Sequence, residues 1–183
     1  MAIYFADGST MSSAPHVLET FDSPCDGSTI ALRSGNLTVP NVTSEQSIGT
    51  SYVDIDGSSL SYTPPSGTKI VVYRFHFHIG RGSSSPIMHV KFIVDGNWAS
   101  NSRFTEYSNG SSPCYFYWAI NIGGSTTNAT GRLASWTSAK TVKLQAREYN
   151  ASQQVVIHET QHWDGTGNDE FVQPSIGITA IGT

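Results

Sequence analysis

The chain is cut into short runs of β-favouring residues by clusters of Gly, Asn, Asp, Ser and Pro. "TIALRSGNLTVPNV" holds two such runs around Ser34-Gly35-Asn36. "TSYVDIDGSSLSYTPPSGTKIVVYRFHFHIG" carries an expected hairpin turn at Asp56-Gly57 and a corner at Pro64-Pro65-Ser66-Gly67. "PIMHVKFIVDGNWAS" sets Asp95-Gly96 between two more, and "CYFYWAINIGG", "KTVKLQAREYN", "QQVVIHETQHW" and "FVQPSIGITAIG" follow. Each run is about 6–12 residues long and rich in Val, Ile, Tyr, Phe, Trp or Thr, which suit a pleated surface. No long segment shows helical periodicity with caps. The pattern predicts an all-β sandwich or barrel. It spans residues 25–183 without a repeat or a linker. Residues 1–24 differ: "AIYF" precedes a polar stretch containing Pro15 and Pro24, which reads as an extended N-terminal arm.

The 183 residues suit one domain, large enough to bury a core without a metal or disulfide. Only 13% are charged, so the polar surface is built from Ser, Thr, Asn and Gly. Such a surface repels its own copies little and suits permanent packing against other subunits. The net charge is −4 with no basic run, which argues against nucleic acid as a partner. "MAIYFADGST" has neither a basic segment nor a long apolar core and is not expected to be a secretory signal. No apolar run approaches the ~18 residues of a membrane span. Cys25 and Cys114 are far apart and match no metal knuckle; two buried thiols are expected, with a single bridge as the alternative.

One stretch points to chemistry. "HETQHWDG" satisfies H-E-x-x-H and most of a longer zinc-protease pattern, through His158, Glu159 and His162. In those enzymes the histidines sit one helical turn apart and share an ion. Here the motif follows "QQVVI", a poor helix start. Read as a strand, Val156, His158, Thr160 and His162 face one way and Ile157, Glu159, Gln161 and Trp163 the other. The two histidines are then about 13 Å apart and cannot share an ion without a sharp bulge. The third ligand would fall on Asn168, and no methionine follows the motif. A zinc hydrolase is therefore the remote reading.

"YRFHFHIG" places His76 and His78 on one face of a strand, about 6.6 Å apart, with His89 on the next run. Without a third ligand they read as half-buried polar residues opposite the Tyr73, Phe75, Phe77 and Ile79 stripe. No nucleophile elbow or phosphate loop is present. Asp54 and Asp56, and Asp169 and Glu170, read as solvated turn residues. No catalytic residue, metal or cofactor is assigned.

"CYFYWAIN" is apolar on both faces: Phe116 and Trp118 one way, Tyr115 and Tyr117 the other. A strand apolar on both sides needs cover on both. The tyrosine face suits a subunit interface, where the ring is buried and the OH stays bonded. Trp98, Trp136 and Trp163, with nearby Asn and Asp, are candidate stacking platforms for sugars.

The series "SYVDIDGSSLSYTPPSGTKIVVYRFHF", "HVKFIVDGN", "FYWAINIGG", "GRLASWTSAKTVKLQAREYN", "VVIHETQHWDG" and "PSIGITAIG", after the opening "MAIYFADGST", resembles a group of virion proteins of tailed phages, frequent in aquatic phages. The resemblance covers most of the chain. It implies a jelly roll of the tumour-necrosis-factor or complement-globular-head type, a homotrimer, and a place on the virion. Capsid decoration or cement, or a head fibre, is the leading expectation, with major capsid or fibre and tail proteins as partners. A tail-fibre tip that binds a receptor or a host surface glycan is the alternative. The arm, through Ile3, Tyr4 and Phe5, is the expected anchor, adding a strand to an exposed sheet edge of another virion protein.

Overall fold

The computed structural model describes residues 3–4, 10–11, 14–81, 85–107, 110–161 and 169–182. In chain order the strands are β1 (Ile3–Tyr4), β2 (Thr10–Met11), β3 (His16–Pro24), β4 (Thr29–Leu32), β5 (Gly35–Thr38) and β6 (Gln46–Ser47). Then come β7 (Val53–Asp54), β8 (Leu60–Tyr62), β9 (Thr68–Arg81), β10 (Ile87–Val94), β11 (Asn97–Trp98) and β12 (Phe104–Tyr107). The last are β13 (Ser112–Asn121), β14 (Lys140–Glu148), β15 (Val155–Ile157), β16 (Glu159–Gln161), β17 (Asp169–Phe171) and β18 (Ser175–Gly182). Helix among the described residues is confined to short 3₁₀ turns at Ser100–Ser102 and Asn128–Thr130.

Two antiparallel sheets make a β-sandwich, as the turn spacing predicts, and of jelly-roll type, as the resemblance implies. The first sheet is built on β9. One edge of β9 pairs with β13; the other pairs with β18 and then β15, and β3 lies beyond β18. The second sheet is built on β10, flanked by β14 on one edge and by β12 and β11 on the other. Alternate residues of β9 (Val71, Tyr73, Phe75, Phe77, Ile79) and of β10 and β14 (Met88, Val90, Phe92, Val142, Leu144, Ala146) are buried between the layers. The rings of Tyr73, Phe92 and Phe116 meet with centroids 5.1–6.0 Å apart and join the two sheets through the core.

The Pro64–Gly67 corner carries the chain from β8 in the second sheet to β9 in the first. Its Gly67 has φ +90°, and Thr68 donates its N–H and its hydroxyl to the Pro65 carbonyl. Asp95-Gly96 closes the two-residue hairpin between β10 and β11, with φ of 50° and 80°.

Asp56-Gly57 is not the hairpin turn expected from its residue types. β7 and β8 pair with the same edge of β14, one after the other, so the chain continues in one direction through this turn. The turn bulges inward and accepts polar groups from the first sheet. The Tyr73 hydroxyl donates to the Ser58 carbonyl at 2.7 Å. Ser58, fully buried, donates its hydroxyl to the Ile55 carbonyl and accepts from the Leu144 N–H.

The boundary expected at residue 24 also moves. Residues 16–24 are β3, an edge strand paired along β18 from Pro24↔Ser175 to His16↔Gly182. Phe21 enters the core, and the buried Glu19 accepts hydrogen bonds from the Ser34 N–H and hydroxyl and from the Tyr62 hydroxyl, each at 2.7 Å. The prolines do not disrupt this strand. Pro15 precedes it and Pro24 ends it, positions where a missing N–H costs no ladder bond. Before β3, β1 pairs with β2 in a separate two-stranded sheet through Ile3↔Met11 and Tyr4↔Thr10.

Both cysteines are free and buried, as the first expectation had it. Burial, and secondarily Asp26 for Cys25 and Glu106 for Cys114, pushes each thiol up to about 12.

Gly57 carries the inward turn: its φ is +81°, and a Cβ there would lie 2.8 Å from Val42 Cγ2. Gly57→Ala is expected to lower stability by about 2–4 kcal/mol, from left-handed strain plus overpacking, read as a drop in the urea midpoint with an unchanged slope.

Candidate functional site

The H-E-x-x-H stretch is not helical. β15 ends at Ile157, His158 takes a left-handed conformation with φ +66°, and β16 runs from Glu159 to Gln161. The strict alternation expected here fails, because Ile157, His158 and Glu159 are buried in succession. The left-handed residue is the cause. It ends the pairing with β9 and starts the pairing of β16 with β17, so the chain leaves one sheet at His158. The His158 N–H still donates to the His78 carbonyl, and the His158 carbonyl accepts from the Val172 N–H, both at 2.8 Å.

The His158 ring points into the molecule. It is 0% exposed, and its Nε2–H donates to the Asp56 carbonyl at 2.9 Å. It meets the rings of Phe75 and Phe77 edge-on, with centroids 6.4 Å away. Nδ1 is buried with no hydrogen-bond partner. Burial lowers the pKa to about 4; the bond to Asp56 opposes this and His78 reinforces it. With Nε2 bonded to a carbonyl, Nδ1 without a partner among the described residues and the ring fully buried, His158 is a neutral core residue. Glu159 lies over Gly80, where any Cβ would overlap its carboxyl. His162, Trp163 and Asn168 lie outside the described residues. Among the described residues no group of three or more His, Cys, Asp or Glu side chains is placed to hold a metal ion.

His76 and His78 share the outer face of β9, with ring centroids 5.5 Å apart. His89 does not join them, because β10 belongs to the other sheet; its Nδ1 is hydrogen-bonded to the Thr105 hydroxyl at 2.9 Å. The His76 ring stacks on Tyr115 at 4.3 Å and 12°. Desolvation lowers the pKa of both His76 and His78, and His76 lowers that of His78 further.

Tyr115 and Tyr117 stand on this face 74% and 65% exposed, while Phe116 is buried beneath them. Their strand, β13, pairs with β9 alone among the described residues and so forms a sheet edge. Beside them Arg74 makes a two-point ion pair with Asp22, its Nε and Nη2 each 3.0 Å from a carboxylate oxygen. The pair crosses β18 at Gly177, where a Cβ would overlap Asp22. Tyr115, Tyr117, His76, Arg74 and Ser175 border a shallow depression of about 270 Å³. The sequence singled out the tyrosines. The ion pair and the glycine beneath it come from three distant strands and leave no local signal.

Of the tryptophans, Trp136 is buried, with its Nε1–H donated to the Tyr62 carbonyl at 2.9 Å, and is no sugar platform. Trp98 is exposed on the outer face of the second sheet. Asp54 is not a bare turn carboxylate: desolvation raises its pKa, but hydrogen bonds from Lys143 and Gln145 prevail and lower it. Asp169 and Glu170 are exposed on β17. Of the expected anchor residues, Ile3 and Tyr4 form β1, and Phe5 lies outside the described residues.

No family model and no curated protein matches the chain. Among solved structures, an exo-beta-agarase is similar at 10% identity and a TM-score of 0.22, over 94% of this chain. This chain spans 24% of the length of that one, and so low a score relates neither the folds nor the activities.

His158 makes stability depend on pH. Its pKa is lower folded, about 4, than the ordinary 6.5 or so of an unfolded histidine. The unfolded chain therefore binds more protons between these values, and stability is full above pH 6.5 and lost as pH falls toward 4. At pH 4.5 the loss from this residue is about 2–3 kcal/mol. Urea midpoints from pH 7 to 4.5 should fall less steeply in His158→Asn, which tolerates the left-handed backbone.

Proposed function

We propose that this protein is a structural component of a phage particle: a trimeric β-sandwich knob that decorates or cements the capsid, or forms a head fibre. The virion assignment rests on the motif series, whose resemblance covers most of the chain. The assembly reading rests on one observation: edge strand β13 holds Tyr115 and Tyr117 out to solvent on the side of the sheet away from the core. Large rings in that position expose apolar area at every copy of a weakly charged chain. Packing them against a neighbour removes that area from water while the hydroxyls keep polar partners at the rim. The Arg74–Asp22 pair next to them is already neutralised within the protomer, so the face presents little net charge to a copy of itself.

Anchoring to the particle falls to the segment before β3. A short apolar strand there offers main-chain donors and acceptors to a sheet edge of a capsid or fibre protein. Host-glycan binding at a tail-fibre tip is the second reading, favoured by the exposed Trp98.

Replacing both tyrosines with glutamate is expected to turn a trimer into a folded monomer by light scattering, with circular dichroism unchanged. A double variant that stays trimeric puts the interface elsewhere. Deleting residues 1–15 is expected to leave the trimer intact and remove the protein from purified particles; copurification of the truncated form would refute the anchor.

A further inference from the structure

The second sheet carries on its outer face a group of cations that meet no carboxylate. Lys91 on β10 lies between two aromatic rings, its Nζ 3.6 Å from the Tyr52 ring centre and 4.7 Å from that of Trp98. The Arg147 guanidinium, on β14, lies 5.5 Å from the same Tyr52 ring. Arg103, exposed just before β12, borders the same cleft as Tyr52, Trp98, His89 and Thr105, a hollow of about 340 Å³. Three basic residues form ion pairs: Arg74 with Asp22, Lys140 with Asp95 and Lys143 with Asp54. Among the described residues Lys91, Arg103 and Arg147 have no such partner, in a chain of net charge −4.

We propose that this cleft binds an acidic saccharide, a pyranose bearing a carboxylate. The chemistry fits on each count. The exposed Trp98 offers a flat apolar face to the C–H side of a sugar ring. Arg103 on the cleft wall, with Lys91 held between the wall rings of Tyr52 and Trp98, supplies charge-assisted donors to a carboxylate. The aromatic rings hold the Lys91 ammonium in place, so little side-chain entropy is lost on binding. His89 and Thr105, bonded to each other at 2.9 Å, add polar atoms at the cleft wall for sugar hydroxyls. A mere anion site would not need the tryptophan, and a neutral-sugar site would not need the cations. Arg103 also borders a hollow shared with Tyr115 and Tyr117, whereas Lys91 and Trp98 do not, so the Lys91 and Trp98 variants separate saccharide binding from the proposed trimer contact.

Calorimetric titration with tri-galacturonate, a neutral galactose trimer and inorganic sulfate tests this directly. The acidic trimer is expected to bind, and the neutral trimer and sulfate at least tenfold more weakly. Trp98→Ala, Lys91→Gln and the exposed Arg103→Gln should each weaken the acidic trimer about tenfold or more, and Lys140→Gln should not. Equal binding of sulfate, equal binding of the neutral sugar, or no effect of Arg103→Gln and Lys91→Gln would overturn the proposal. So would the absence of acidic-trimer binding at millimolar concentration. Melting temperature reports folding of each variant, and Lys91→Gln decides the matter if Trp98→Ala unfolds.

Discussion

The turn at Asp56, Gly57 and Ser58, with Ser58 fully buried, is the point on which the two layers depend. It lies between β7 and β8, on the edge of the second sheet, and bulges toward the first. There it accepts the His158 ring N–H and the Tyr73 hydroxyl, while Ser58 bridges back to Leu144 on β14. The His158, Tyr73 and Ser58 side chains are buried, where an unmade hydrogen bond costs about 1–3 kcal/mol. The polar atoms therefore fix how the sheets meet, a task that apolar packing alone performs with less geometric precision. Gly57 is required because the turn is both left-handed and crowded against Val42. The Glu19–Tyr62 bond repeats the device elsewhere in the sandwich, tying β3 to β8 through a buried carboxylate that forms no ion pair among the described residues.

The same core gives His158 of the H-E-x-x-H stretch a structural role. His158 serves as the donor that joins β15 to the inward turn, and the ring is oriented by Phe75 and Phe77. Its ring is fully buried, and among the described residues no group of three or more His, Cys, Asp or Glu side chains is placed to hold an ion there. Chemistry directed outward falls to the two sheet faces. One presents tyrosines, stacked in part on His76, over a neutralised ion pair; the other presents unpaired cations between aromatic rings. Sandwich architecture makes this division natural, because each strand sends alternate residues inward and outward.

Residue types and their spacing determined the all-β class, the Pro64–Gly67 corner, the Asp95-Gly96 hairpin and the opposite orientations of Tyr115 and Phe116. Each follows from a local rule: period-two alternation, or a backbone conformation that only certain residues tolerate. Tertiary structure decided the rest. Asp56-Gly57 has hairpin residues yet bends a continuing edge, because Tyr73 and His158 need acceptors there. His158 breaks the alternation of its strand because two sheets compete for its neighbours. β3 joins the sandwich because β18, far along the chain, supplies its ladder. The Arg74–Asp22 pair and the Lys91 cleft assemble from strands remote in sequence. Pairing partners and buried hydrogen bonds are properties of chain segments brought together in space, and a linear pattern carries no distance between them.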